Sequence, residues 1–321
     1  MVTSGARIAF FGTPAFALPT LDVLLASSHH VVAVVTQPDR PRGRGQQTTD
    51  GPVKARAVAA GVPVLQPDRL SVPAFLEAFR ALQVDLGVVA AYGKLLPVRL
   101  LELPRLGMIN VHASLLPKYR GAAPVHRAIV AGEPETGVTI MRVVQALDAG
   151  PMIASAVRPV GPDETSDEVE RDLAWIGARL LSATIDDVLA GTAREIPQDD
   201  ATATYAPRLT KEDGAIEWTA TSRQIHNQIR GLRPWPHAYA FLGGSRIILH
   251  RSELPDELAR VEQREAAGTV VHADDDRFIV RTGDGTIRLL ELQPEGKRRM
   301  LAREFLSGHH LATGSRFTAA R

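Results

Sequence analysis

No cysteine occurs in the 321-residue chain. Disulfides and thiolate metal sites are thereby excluded, and the composition suits a reducing compartment such as the cytoplasm. Long apolar runs are missing too: none approaches the roughly 20 residues that span a bilayer, so no membrane partner is expected. Arg7 to Phe11 is a short strand-like run without a secretory signal's apolar core or cleavage pattern, so export is not expected and a cytoplasmic location is. Net charge is nearly absent at +1. Residues 1–206 carry 19 Lys and Arg against 21 Asp and Glu, and residues 207–321 carry 18 against 15. With so mild a bias, a nucleic-acid surface has to come from local clusters of cations. The G-x-G-x-x-G fingerprint is absent, which leaves a dinucleotide site little support. The histidine pairs at 29–30 and 309–310 lack ligand partners at sensible spacing, so no metal is expected. No internal repeat or low-complexity tract is present.

What remains is ordinary globular composition, 45% hydrophobic and 23% charged, in a chain long enough for two domains with a core each. Short apolar, β-branched runs alternate with helical stretches from residue 7 to about 160, the pattern of a parallel α/β sheet covered on both faces. The expected strands are 7–11, 31–36, 62–65, 86–91, 108–111, 138–144 and 153–157. Gly12-Thr-Pro14 makes a tight turn into a helix ending near Ser27, a partly Rossmann-like beginning. Thr165-Ser-Asp-Glu opens a long helix with an apolar stripe of Leu173, Ile176 and Leu180, and Gly191 closes it. Residues 192–206 are polar and predict a surface linker. From residue 207 to 321, short strands with turns at Gly243-Gly244 and Gly283-Asp-Gly285, and one helix near 222–230, describe a small β-barrel.

The segment from Gly107 to Pro124 carries the chemistry. Asn110 and His112 are two apart on a strand and share a face, so an amide N–H and an imidazole can converge where an oxyanion must be stabilised and a proton managed. Asn110 as a strand-end cap and His112 as a satisfied buried histidine are the plainer alternative. Asp148, in Leu147-Asp-Ala-Gly150, is by itself an ordinary turn residue.

Taken with Phe11-Gly-Thr-Pro14, Gln37-Pro-Asp-Arg40, Ser114 to Pro117 and Pro234-Trp-Pro236, these segments resemble the methionyl-tRNA formyltransferase family along the whole chain. The resemblance implies a formyltransferase domain over 1–191, a linker over 192–206 and an OB-like, tRNA-binding β-barrel over 207–321. It implies transfer of a formyl group from 10-formyltetrahydrofolate to the amine of methionyl initiator tRNA by a monomer, in support of translation initiation. Asn110, His112 and Asp148 are then catalytic. Ser114, Leu115, Leu116, Pro117, Ala90 and Tyr92 line the folate pocket, and Gly12 to Pro14 either lines the methionine end or is only a turn. Arg40, Arg42 and Arg44 lie in a loop that reaches the tRNA acceptor end, although Gln46-Gln47 stands where family members often carry lysines. Lys297, Arg298 and Arg299, with Arg230 and Arg233, are candidate phosphate contacts or, equally, a charged edge. Trp235 is expected to be a packing anchor. Formylation of an amino-sugar nucleotide and tRNA binding without catalysis are the rival functions.

Overall fold

A computed structural model describes residues 5–39, 50–255, 265–274, 277–309 and 311–319. Two compact units emerge: Met1–Pro124 with Glu135–Arg158 and Glu170–Ala206, and Val125–Pro134 with Pro159–Val169 and Pro207–Arg321. The elements run β1 (Arg7–Gly12), α1 (Leu18–Leu25), β2 (His30–Val35), α2 (Pro52–Ala59), β3 (Val64–Leu65), α3 (Pro73–Ala81), β4 (Leu86–Ala90), α4 (Val98–Leu101), β5 (Met108–His112), β6 (Arg120–Gly121), α5 (Pro124–Ala131), β7 (Glu135–Arg142), β8 (Met152–Pro159), α6 (Ser166–Ala190) and β9 (Tyr205–Ala206). They continue with α7 (Ser222–Gly231), β10 (Ala238–Leu242), β11 (Ser245–Glu253), β12 (Val270–Asp274), β13 (Arg277–Arg281), β14 (Thr286–Pro294), β15 (Met300–Leu301), α8 (Ala302–Gly308) and β16 (Phe317–Thr318).

The first unit is built on a sheet of order β3-β2-β1-β4-β5-β7-β8. Its first five strands are parallel, and β7 runs antiparallel to β5. That reversal departs from the all-parallel expectation. The connection through α5 is therefore not a crossover returning the chain to the start of β5. β4 is buried at every residue and β1 at all but its first, as a sheet covered on both faces requires. Phe11 sets the core on one face, its ring 5.7 Å from both Phe79 and Tyr92. Pro52 and Pro73 open α2 and α3, where a missing N–H costs nothing.

Helix α6 begins with Asp167 and Glu168 in its first turn and stops at Gly191, whose φ of 71° is the left-handed exit glycine allows. Its buried face in the first unit is Leu173, Ala174, Ala178, Leu181, Ile185 and Val188. Ile176 and Leu180 of the expected stripe are only half-buried. The stripe is turned because small residues carry the approach: a Cβ on Gly177 would sit 2.6 Å from Val111 on β5. Residues 192–206, expected as a linker, include an antiparallel bridge from Ile196 to Met152 and β9, which pairs with β6.

The second unit is an antiparallel sheet of order β12-β13-β14-β11-β10-β16, with β15 on β14. Hydrogen bonds from Val270 N–H to Ser315 O and from Phe317 N–H to Gly268 O, each 2.8 Å, tie its two ends into a half-barrel. Gly243 and Gly244 turn β10 into β11 at φ 56° and 77°, the hairpin geometry that glycine pairs favour. Trp218, Ile225, Leu249, Phe278, Leu289, Phe305 and Phe317 fill the core. Among the described residues no helix is long and apolar enough to cross a membrane.

The turned stripe of α6 has a measurable consequence. Leu173→Ala is expected to cost about 2–5 kcal/mol, the range for a buried leucine, and Leu180→Ala less than half as much. Urea unfolding of the two variants checks this; equal losses would restore the phase expected from the sequence.

Candidate active site

The geometry at the end of β5 begins with a tautomer. His112 is buried, and its Nε2 lies 3.0 Å from the carbonyl oxygen of Tyr119. A carbonyl only accepts, so Nε2 carries the hydrogen and the neutral ring leaves Nδ1 as a bare lone pair. Nδ1 sits 3.8 Å from Oδ2 of Asp148. The two are an ion pair when the ring is charged; when it is neutral, both accept, and they converge on a point suited to an N–H or a water. Asn110, half-buried and on the same face of β5, makes no side-chain hydrogen bond to the described residues, so its carboxamide is available to a bound group.

Asp148 is placed by its loop rather than by a strand. Its φ of 47° is uncommon for a residue with a Cβ, and three contacts hold it there. Gly121 N–H donates to its Oδ2 at 2.9 Å, and Gln198 Nε2 donates at 2.8 Å both to the Asp148 carbonyl and to that of Gly150. A Cβ on Gly150 would lie 1.9 Å from the Arg142 carbonyl, which explains the Asp-Ala-Gly spacing in steric terms. Arg120, itself buried, donates from Nε to Gln198 Oε1 at 2.9 Å and from Nη2 to Asp200 at 2.8 Å. Gln198 went unnoticed in the sequence because it lies in a polar stretch some fifty residues from Asp148. The site sits where parallel strands β1, β4 and β5 end, beside the point at which the strand order turns from β2 to β4 around β1. Ligands of open α/β sheets bind at such points.

The loop from Ser114 to Pro117 is pinned by Thr139 of β7, which donates to Ser114 O at 2.8 Å and accepts Leu116 N–H at 3.2 Å. Ser114 donates onward to Lys118 O at 2.7 Å. Ser114 and Leu116 are buried, while Leu115 and Pro117 are half-buried. Ala90 and Tyr92, expected beside them, face the core: Tyr92 is 2% exposed against Phe11. Exposed Ala91 and Gly93 flank Tyr92, so this stretch offers backbone and a methyl group rather than the tyrosine ring. Gly12 has no room for a Cβ, with Phe10 and Ala17 within 2.8 Å, which accounts for the turn at 12–14.

The expected phosphate contacts fare unevenly. Arg40, Arg42 and Arg44 lie outside the described residues. Lys297, Arg298 and Arg299 are in the turn from β14 to β15; Arg298 pairs with Glu304 at 2.9 Å and Arg299 with Glu291. Arg230 is not available to a phosphate. It is buried, and its guanidinium donates to Asn227, Gly161 O and Glu164 O. Arg233 lies 3.5 Å from Asp167. Trp235 is 49% exposed, not the packing anchor expected, because its neighbour Pro236 is the buried member of the pair.

Two formyl transferase families match the chain: formyl transferase over residues 6–185 and the formyl transferase C-terminal domain over residues 208–310. Fold and site therefore define a formyl-group transferase. Proteins named methionyl-tRNA formyltransferase are similar over nearly the full length, that of Moorella thermoacetica at 46% identity over 96% of this chain and 98% of its own. That of Geobacter sulfurreducens is 44% identical over 99% and 98%. The chain belongs to the methionyl-tRNA formyltransferase family. Its fold is similar to that of an N-formyltransferase from Helicobacter canadensis, solved with folinic acid and dTDP-3-aminofucose, at a TM-score of 0.67 and 20% identity, covering 88% of this chain and 98% of that one.

Tyr92 offers a test of the core beneath the site. Its hydroxyl has no hydrogen-bond partner among the described residues, and burial pushes its pKa up to about 12, against ~10 in an unfolded chain. Above pH ~10 the unfolded chain loses this proton first, so the stability present below that pH declines as pH rises towards about 12. Tyr92→Phe is expected to flatten that decline in stability measured by denaturant unfolding across this range; an unchanged slope would place the tyrosine in a wetter setting.

Proposed function

We propose that this chain transfers a formyl group from 10-formyltetrahydrofolate to the α-amino group of methionyl initiator tRNA in the cytoplasm, with residues 1–191 carrying the chemistry and the OB-like barrel over 207–321 gripping the tRNA. The observation that carries this reading is a carboxamide on the same face of β5 as an imidazole whose lone pair lies on Nδ1, with a carboxylate 3.8 Å from that nitrogen.

When bound, the folate supplies the formyl carbon and a nitrogen leaving group. Attack of an amine on such a carbon places negative charge on the formyl oxygen, and Asn110 is the neutral donor that meets it. His112 takes the amine's proton on Nδ1 while Nε2–H stays on Tyr119 O, and Asp148 stabilises the imidazolium that results. The same imidazolium then returns a proton to the departing nitrogen. Leu115 and Leu116, on the loop that Thr139 pins two residues beyond His112, give a rigid apolar edge against which a flat ring system packs. The cations at 297–299 and the loop bearing Arg40, Arg42 and Arg44 approach phosphates.

Asn110→Ala is expected to lower kcat by about 100- to 1,000-fold, as removal of one oxyanion donor does, with His112→Ala at least as severe and tRNA binding nearly unchanged in both. An assay offering methionyl-tRNA and an amino-sugar nucleotide as acceptors checks the substrate class; faster turnover of the sugar would overturn it. Neutralising Lys297, Arg298 and Arg299 together is expected to weaken tRNA binding and to flatten the plot of log affinity against log salt by up to roughly one per lost phosphate contact. An unchanged slope removes them from the interface.

A further inference from the structure

Residues 198–206 hold both partners of the imidazole–carboxylate pair, and they do so from a stretch with no catalytic motif. One end works through Gln198. Its Nε2 donates simultaneously to the carbonyls of Asp148 and Gly150, each at 2.8 Å. These are the residues on either side of the loop's tightest point, one in the left-handed region and one with no space for a side chain. Such a conformation stores about 1–3 kcal/mol and persists only where its surroundings over-determine it. The other end works through Thr204 and Ala206. Thr204 accepts Tyr119 N–H on its hydroxyl at 2.9 Å and Arg120 N–H on its carbonyl at 2.8 Å. Ala206 O accepts the N–H of Ala122 at 2.9 Å. The segment so anchored supplies Tyr119 O, which fixes the His112 tautomer, and Gly121 N–H, which fixes the Asp148 carboxylate.

Arg120 joins the two ends. Its guanidinium, enclosed beside β6, donates to Gln198 Oε1 at 2.9 Å. A side-chain amide that accepts from arginine on its oxygen must turn its NH2 outward, so this bond fixes which way Gln198 points and leaves both N–H groups for the two carbonyls. Both polar atoms of the Gln198 side chain are then used, in three hydrogen bonds, an arrangement that a carboxylate, a shorter amide or an alkyl chain cannot reproduce.

We infer that Gln198, oriented by Arg120, is a positioning residue of the formyl-transfer reaction: it sets the separation of Asp148 from His112 and makes no contact with substrate. The inference rests on the proposed function for its kinetic test but not for its structural one. Outer partners that orient metal ligands typically contribute 10- to 100-fold, and an orienting partner of this carboxylate is expected to act on the same scale.

Three measurements test it. In formylation assays, Gln198→Ala and Gln198→Glu are each expected to lower kcat by ~10- to 100-fold with KM for donor and tRNA within about twofold. A mere space-filling role would leave the isosteric glutamate near wild type. In an Asp148→Asn background, the further loss from Gln198→Ala is expected to shrink to within about twofold, since a residue that acts through another has nothing left to act on; an undiminished loss in that background overturns the inference. The third measurement needs no turnover. The amide resonance of Gly121, which donates to Asp148, is expected to shift in both Gln198 variants while resonances of the half-barrel stay in place. A Gly121 resonance unmoved in both variants overturns the inference, whatever the assay gives. Were the wild-type protein inactive with methionyl-tRNA, the proposed function would fail while the resonance test still decided the role of Gln198.

Discussion

A single hydrogen bond gives the site its polarity. Because a backbone carbonyl at Tyr119 can only accept, the imidazole of His112 is held with its hydrogen on Nε2 and its lone pair on Nδ1. Reverse that tautomer and Nδ1 would carry the hydrogen, so that the nitrogen facing the carboxylate could not receive a proton until it had first lost one. The distance between the two groups is the second part of the same constraint. At 3.8 Å they are too far for a hydrogen bond and close enough for strong electrostatic interaction once the ring is charged. The surrounding structure, from the pinned loop at Ser114 to the steric limit at Gly150, maintains that relation.

Much of the first unit was legible in the sequence. Every expected strand between residues 7 and 157 has a counterpart within a few residues, since apolar runs bounded by turn residues report burial directly. The direction of β7 was not legible, because no local pattern encodes whether a connection returns the chain to the start of the preceding strand. The phase of α6 was hidden for a different reason. A stripe read from bulky residues selects Ile176 and Leu180, whereas Gly177, Ala174 and Ala178 make the close face, and small residues give a weak hydrophobic signal while permitting the nearest approach. In the site, Asn110 and His112 were visible because a two-residue period on a strand is a short-range rule. Asp148 needed its family motif. Gln198 had no signal, since a glutamine in a polar stretch looks the same whether it is solvated or makes three specific bonds.

The second unit uses charge for internal order. Arg230, which by type and place suggested a phosphate contact, spends its donors on two carbonyls and an asparagine. Arg127 forms a two-pronged pair with Asp213, at 2.8 and 3.0 Å, and this partner holds the Asp213 carboxyl below the usual carboxylate range. Burial likewise lowers the pKa of His250 to about 4, keeping it neutral in the sheet.

The second unit is discontinuous in the chain, drawing on residues 125–134 and 159–169 as well as 207–321. Dissection by simple truncation is therefore unsound. A fragment starting at residue 207 would strand the Arg230 guanidinium without the carbonyls of Gly161 and Glu164, and His226 without the carbonyl of Pro162, 2.9 Å away. Several buried donors would be orphaned at once, each at roughly 1–3 kcal/mol. Isolating this half of the protein for study requires grafting those two excursions back onto it, not merely choosing a boundary.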